Sequence, residues 1–420
     1  MKDRRPFAPS DVDLSQCVRC GLCLQHCPTY IETGLETESP RGRLYLIQAL
    51  TNGFVEPTTN ALGHLDQCLQ CRNCEAVCPS GVPYGRIMEH ARADAIDRGA
   101  APLSWRLRSL FLREVVARPG RLRLLGSAMR VTEHTGLRDV AERLPVLGQR
   151  ARLAPRMRGR PFTATGLVAS PEGETRARVA MLSGCIMPLA FGRVHRATAR
   201  VLARNGCAVS VPASQRCCGA LHAHNGDMKT ARELARRNID AFLADGPETV
   251  VVNSAGCGAA MKEYAELLAD DATYAERAAQ FSRLVKDVHE FLVALPFEPP
   301  AGRVDAAVTY QDSCHLAHAQ RISAAPRQVL AAIPGLVLTE MANADRCCGA
   351  AGVYSLTQPK MGERLLAEKM RDVLGTDATV VATANPGCMA QLEAGVRGAG
   401  AKVAVRHVVE LLDRAYQTPS

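Results

Sequence analysis

Residues 17–28 read Cys17-Val-Arg-Cys20-Gly-Leu-Cys23-Leu-Gln-His-Cys27-Pro28, and residues 68–79 read Cys68-Leu-Gln-Cys71-Arg-Asn-Cys74-Glu-Ala-Val-Cys78-Pro79. Both are C-x2-C-x2-C-x3-C-P, offset by 51 residues. This is the run of a bacterial two-cluster ferredoxin, in which the fourth cysteine ligates the other cluster. Three cysteines separated by two residues each let one tight loop wrap three corners of a [4Fe–4S] cube, and the fourth points away to the second cube. The proline closes the loop without needing a backbone donor. One cluster is therefore expected on Cys17, Cys20, Cys23 and Cys78, and the other on Cys68, Cys71, Cys74 and Cys27. Zinc commonly uses two C-x2-C pairs, so three evenly spaced cysteines plus Cys-Pro, twice over, suit it poorly. His26 is read as part of the surroundings of a cluster, not as a ligand.

The 420-residue chain holds 17 cysteines, 47% hydrophobic and 22% charged residues, and a net charge of +9. That length suits two to three domains with a sizeable core, so folding needs no disulfides. Aromatics are only 4%, which argues against base-stacking platforms and a nucleic-acid partner. No run approaches the ~18 apolar residues of a membrane helix. The opening Met1-Lys-Asp-Arg-Arg-Pro-Phe lacks the apolar stretch of a secretory leader. A cytoplasmic location is expected, and in a reducing compartment such cysteine usage means metal or redox chemistry.

The other nine cysteines lie beyond residue 177 and mark a repeat. Cys185 and Cys314 differ by 129, Cys217-Cys218-Gly219 and Cys347-Cys348-Gly349 by 130, and Cys257 and Cys388 by 131. Three landmarks at nearly constant offset define two units. Each alternates apolar strands with helices. Strands are predicted at Val179-Ala-Met-Leu, Ala208-Val-Ser-Val and Thr249-Val-Val-Val, with helices over 190–205 and 228–243. In the second unit strands are predicted at Ala306-Ala-Val-Thr-Tyr, Leu336-Val-Leu-Thr and Ala378-Thr-Val-Val-Ala. This pattern predicts parallel α/β sheets, with the cysteines at or beyond strand carboxyl ends, the ligand-binding edge of such sheets. Cys185, Cys217, Cys218 and Cys257, then Cys314, Cys347, Cys348 and Cys388, are candidate cluster or redox residues. Neighbouring glycines supply close backbone approach and amide donors to sulfur. Cys207 has no counterpart and is read as a buried core residue.

Between these parts, residues 101–160 hold 14 Arg, no Lys and four acids, a local charge of +10. Leu103, Leu107, Leu110, Phe111 and Val115 have helical spacing, interrupted by Pro119-Gly120, Pro145, Pro155 and Pro161. The segment reads as several helices and a linker with a solvated basic surface. A docking face for an acidic partner or an anionic membrane is the alternative. The expected architecture is mixed α+β and α/β. It comprises a small ferredoxin-type domain (8–95), an Arg-rich helical connector (96–176) and two repeated α/β units (177–298 and 299–420).

The two repeats resemble the cysteine-rich CCG domains of heterodisulfide reductase and its relatives. Those relatives include iron–sulfur subunits of anaerobic glycerol-3-phosphate dehydrogenase, lactate utilisation proteins and glycolate oxidase. Five strings, Cys23-Leu-Gln-His-Cys-Pro-Thr-Tyr, Glu38-Ser-Pro-Arg-Gly-Arg, Tyr310-Gln-Asp-Ser-Cys-His-Leu, Cys347-Cys-Gly-Ala-Ala-Gly-Val-Tyr and Asn385-Pro-Gly-Cys-Met, most resemble the iron–sulfur subunits of bacterial glycolate oxidase. One departure stands out. Heterodisulfide reductase units end in C-x-x-C, whereas Ala260 and Gln391 stand here. Four thiols per unit remain, enough for one or two further Fe–S clusters but not for a five-cysteine site.

No dinucleotide or phosphate-loop fingerprint is present, and no flavin motif, so neither flavin nor nicotinamide is expected in this chain. Hydride abstraction needs a two-electron acceptor, which cubes are not. The chain is expected to relay electrons as a non-flavin subunit of an oxidoreductase, without catalytic residues of its own. The resemblance implies a flavin-bearing partner that oxidises glycolate to glyoxylate. It also implies quinone or another acceptor downstream, and at most peripheral contact with the inner face of the cytoplasmic membrane. The alternatives are a lactate or glycerol-3-phosphate donor, or a thiol–disulfide reductase.

Overall fold

The computed structural model describes residues 5–144, 148–157 and 159–418. Pro145 and the first four residues lie outside them.

The amino-terminal part is made of helices and tight loops, and among the described residues no strand precedes Gly166. Its longest early helix, Pro40–Asn52, shows why it starts and stops where it does. Ser39 Oγ accepts a hydrogen bond from Gly42 N at 2.9 Å, Pro40 opens the first turn, and Gly53 closes it with φ +77°. This helix packs with Thr59–Asp66 and Tyr84–Asp97 around Ile47, Leu62, Leu65, Ile87 and Met88. Trp105, the single tryptophan, belongs to the same core.

The Arg-rich connector forms helices Leu103–Phe111, Pro119–His134, Leu137–Ala141 and Gly148–Leu153, with a π-helical turn at Leu112–Val116. The predicted apolar periodicity does form a helix, but with an unexpected orientation. Leu103, Leu107, Leu110 and Phe111 are exposed, while Trp105, Ser109 and Leu112 are the buried side. The stretch read as linker also contains a strand, β1 (Gly166–Ala169), paired antiparallel with the first sheet.

That sheet comprises β1, β2 (Ala177–Met181), β3 (Cys207–Val211), β4 (Thr249–Val252) and β5 (Val285–Asp287), in the order β1-β3-β2-β4-β5. The second comprises β6 (Ala306–Tyr310), β7 (Leu336–Leu338), β8 (Val380–Thr383) and β9 (Ala404–His407), in the order β7-β6-β8-β9. Without β1 the two orders are the same, and every pairing is parallel. The repeat therefore extends past the cysteine landmarks. Asp287 and His407, at the ends of β5 and β9, each cap the next helix with a capping box completed by Glu290 and Glu410.

The helix predicted over 190–205 is broken into Met187–Ala190 and Gly192–Arg204. Connector backbone crosses there: a Cβ on Gly192 would meet Arg160 O at 2.7 Å. One apolar core runs through both sheets, joining Val179, Val201 and Val209 to Val308, Val381 and Leu412. Arg200 bridges to Asp413 at 2.7 Å and Arg193 to Glu410 at 2.7 Å across the two units. Among the described residues no helix is long and apolar enough to cross a membrane.

Candidate cluster sites and the chamber between the repeats

The two ferredoxin-type runs fold into matching loops. Arg19 and Gly21 have φ +58° and +82°, and their equivalents 51 residues on, Gln70 and Arg72, have +57° and +62°. Left-handed residues at these points curl the backbone around what the cysteines enclose. Three of the four are not glycine, so the loops hold conformational strain. Cys17, Cys20, Cys23 and Cys78 line one small cavity and Cys27, Cys68 and Cys71 a second, while Cys74 lines both. The fourth cysteine of each run thus lies with the first three of the other. Among the described residues no three His, Cys, Asp or Glu side chains close on a single-ion point; the thiols ring a space instead.

The two shells differ in burial. Cys20 is exposed, whereas Cys27, Cys68, Cys71 and Cys74 are all buried. Burial pushes the Cys23 thiol up to about 11, and pushes Cys71 and Cys74 well above the ordinary thiol value. Thiols so placed ionise only beside compensating positive charge, which the irons of a cluster supply; the donor set fits such a group. Behind the inner shell lies a polar brace that the spacing did not reveal. Arg43, 1% exposed, pairs with Glu38 and donates to Glu38 O (2.7 Å), Thr29 Oγ1 (3.0 Å) and His64 O (2.7 Å). The Thr29 hydroxyl in turn lies 3.3 Å from Cys27 Sγ. Gln70 N donates to Cys68 Sγ at 3.4 Å. The string Glu38-Ser-Pro-Arg-Gly-Arg43 carried the only signal, an acid and a base five residues apart across a helix start.

In the repeats each of the eight candidate cysteines follows a strand's carboxyl end, as predicted. Cys185 follows β2, the first Cys-Cys pair β3, and Cys257 β4; Cys314, the second pair and Cys388 follow β6, β7 and β8. Cys185 Sγ and Cys217 Sγ are 3.5 Å apart. Hydrogen bonds with Cys185 and Cys218 pull the Cys217 thiol well below its ordinary value, and Cys185 and Cys218 rise correspondingly. In the second unit a hydrogen bond with Cys347 raises the Cys348 thiol to about 12, and Asn385 donates to Cys388 Sγ at 3.6 Å. Gly219 and Gly349 have φ +87° and +85°; a Cβ on Gly349 would meet Gly362 O at 2.8 Å. Cys207 stands apart, buried at the start of β3.

The parts meet through specific contacts. Cys71 of the inner shell packs with Cys347 and Tyr354 of the second repeat. The two repeats touch through Ala255 N to Ala384 O (3.1 Å) and Gly256 N to Asn385 Oδ1 (3.3 Å). All eight repeat cysteines and Cys68 open onto one chamber of about 320 Å³. Connector side chains Phe111, Leu122, Leu125, Met129, Leu153 and Met157 also line it. His315 enters it next to Cys314, stacked on His224 with ring centroids 5.1 Å apart, and burial holds His315 neutral. Neither histidine stood out in the sequence, because nothing in the spacing links 224 to 315.

Residues 13–82 match the 4Fe-4S dicluster domain, and residues 179–262 and 308–393 each match the cysteine-rich domain. A probable glycolate oxidase iron-sulfur subunit of Bacillus subtilis is 39% identical, over 95% of this chain and 93% of the relative. The glycolate oxidase iron-sulfur subunit of Escherichia coli is 35% identical, over 99% and 98%. A lactate utilization protein A of Shouchella clausii is 30% identical, but over 56% of this chain. A crystal structure of a hypothetical protein from Helicobacter pylori shares the fold, with TM-score 0.57 and 9% identity over 95% of this chain and 72% of that one. With two cluster-type shells, two repeats and full-length likeness, the chain belongs to the family of glycolate oxidase iron–sulfur subunits.

Proposed function

We propose that this chain takes electrons from a flavin-bearing partner that oxidises glycolate to glyoxylate and passes them to quinone. The oxidation releases two electrons and two protons in the partner. Quinone takes up two of each to become quinol, so the reaction balances without another oxidant. The clusters, when bound, supply one-electron steps between these two-electron ends. Cys17, Cys20, Cys23 and Cys78 would hold the entry cluster, where Cys20 is exposed to a donor. Cys27, Cys68, Cys71 and Cys74 would hold the inner one, with the Arg43–Glu38 brace fixing the Cys27 corner. The repeat cysteines would hold the exit centres at the chamber.

The observation that supports this order is that Cys71 shares one buried cluster with Cys347 and Tyr354 of the second repeat. The apolar chamber supports a lipophilic acceptor. The experiment is reconstitution under anaerobic conditions with and without the flavin-bearing partner, assaying glycolate-dependent reduction of a quinone analogue. Activity only in the complex supports the reading; glycolate oxidation by this chain alone overturns it. Lactate as a parallel substrate tests the other donor.

A further inference from the structure

The outer surface of the connector is left over once the shells and chamber are accounted for, and its chemistry is unusual. Helix Leu103–Phe111 turns its apolar face to solvent: Leu103, Leu107, Leu110 and Phe111 follow one another at i, i+4, i+7 and i+8 and are all exposed. Helix Pro119–His134 is apolar on two sides. Leu122, Leu125 and Met129 line the chamber, while Leu124, 73% exposed, and Val131 face out. Leu137, Val140 and Leu144 continue the pattern in the next turns. Soluble surfaces rarely leave so many large apolar side chains in water within one short segment.

The charge of the same segment is one-sided. Its acids are already held by its own arginines: Glu114 by Arg118 and Arg121, Glu133 by Arg138, Glu142 by Arg138 and Arg156, and Asp139 by Arg156. The side chains of Arg123 and Arg143 are exposed and have no bonded partner among the described residues. Exposed Leu and Phe interleaved with unpaired Arg, on helices too short and too polar to span, is the composition of a helix that lies in the interface of an anionic bilayer.

We infer that the connector helices are the face by which this protein docks on an anionic membrane surface. Apolar side chains enter the headgroup boundary and the free arginines meet lipid phosphates. Phe111 belongs both to the exposed face and to the chamber lining, so the docked surface adjoins the route into the chamber. The inference gives the quinone reading its access path and rests on that reading for its purpose, while its observations are those of the surface itself.

The test is co-sedimentation of the full, cluster-loaded chain with vesicles of phosphatidylcholine, with and without phosphatidylglycerol. Binding to the anionic vesicles is expected, weakening as salt is raised to about 1 M, where the screening length falls to about 3 Å. Arg123→Ala and Arg143→Ala are each expected to weaken binding about fivefold. Leu107→Asp with Leu124→Asp is expected to weaken it at least about tenfold. Neither pair touches a cysteine shell or lines the chamber, so iron content and dye-coupled glycolate activity with the flavin-bearing partner remain as in the parent. That activity reads the electron-transfer proposal separately from the docking one. Vesicle binding that ignores all four substitutions, or equal binding to neutral vesicles, overturns the inference. So does a chain that ignores vesicles but loses affinity for its flavin-bearing partner in the leucine variant, which would make the face a protein interface.

Discussion

Replacing Arg43 by Met removes the charge behind the inner shell while nearly keeping its volume. The Glu38 carboxylate, 8% exposed in its side chain, then loses its guanidinium partner, and the Glu38 carbonyl, Thr29 and the His64 carbonyl each lose a donor. Glu38 keeps the His64 imidazole, with Nδ1 2.6 Å from Oε1, so the cost falls at the lower end of the range for breaking a buried pair from one side, about 3–4 kcal/mol. With a urea dependence of about 2 kcal/mol per M, the unfolding midpoint of the amino-terminal part should fall by about 2 M. Trp105 reports it cleanly: it is the single tryptophan and lies in that part's core. Urea titrations followed by its fluorescence, on anaerobically loaded protein, measure the shift. The Glu38→Gln/Arg43→Met double variant should recover more than half of it, since no unpaired charge remains. A single variant within about 0.5 kcal/mol of the parent, the range of ordinary surface substitutions, would refute the brace.

Four further outcomes follow from the same geometry. Anaerobically purified chain should carry at least about eight irons, from two [4Fe–4S] clusters, and Cys71→Ser should reduce that number; zinc in their place would contradict the shell assignment. Gly349→Ala forces a side chain into the left-handed region, at about 1–2 kcal/mol, and against Gly362 O. It should disturb iron or thiol reactivity in the second repeat while iron in the amino-terminal part stays, as metal analysis would show. His195 is buried, accepts from Asn253 Nδ2 (3.1 Å) and donates to Ser183 O (3.0 Å), and burial lowers its pKa to about 4. The unfolded chain therefore takes up a proton near pH 6.5 that the folded one refuses, so stability present above pH 6.5 falls as pH drops from there to about 4. The loss is about 3 kcal/mol, and the pH slope of unfolding should flatten in His195→Gln. Replacing Cys207 by Ala should leave iron content and electron transfer unchanged, since that thiol lies outside every shell.

Local spacing carried most of what the sequence revealed. The doubled C-x2-C-x2-C-x3-C-P run indicated two shells, and two small cavities lie among these cysteines, with Cys74 lining both. The constant offset between repeats gave the α/β units, and six strands lie where alternating apolar runs placed them. The strands that escaped notice are short or polar: Val285-Lys-Asp is three residues long, and Ala404-Val-Arg-His ends in two charged or titratable side chains. β1 is four residues long, opens on Gly166 and has no partner in the repeat pattern. The connector shows a different limit. Helical periodicity identified the helix at Leu103, yet periodicity cannot tell which side faces the core when both sides carry large apolar groups. The burial of Cys71 and Cys347, 276 residues apart in the chain, in one cluster is a product of tertiary packing that no motif encodes.

The proposed function depends on electrons passing through the inner shell to the repeats. The decisive sample is a Cys71→Ser or Cys74→Ser chain assembled with the proposed flavin-bearing partner, with both half-reactions followed anaerobically. Glycolate should still reduce the partner's flavin, because the proposal puts that chemistry in the partner, while reduction of the quinone analogue stops. Undiminished quinone reduction by an assembled complex shown to lack the inner cluster would contradict the account.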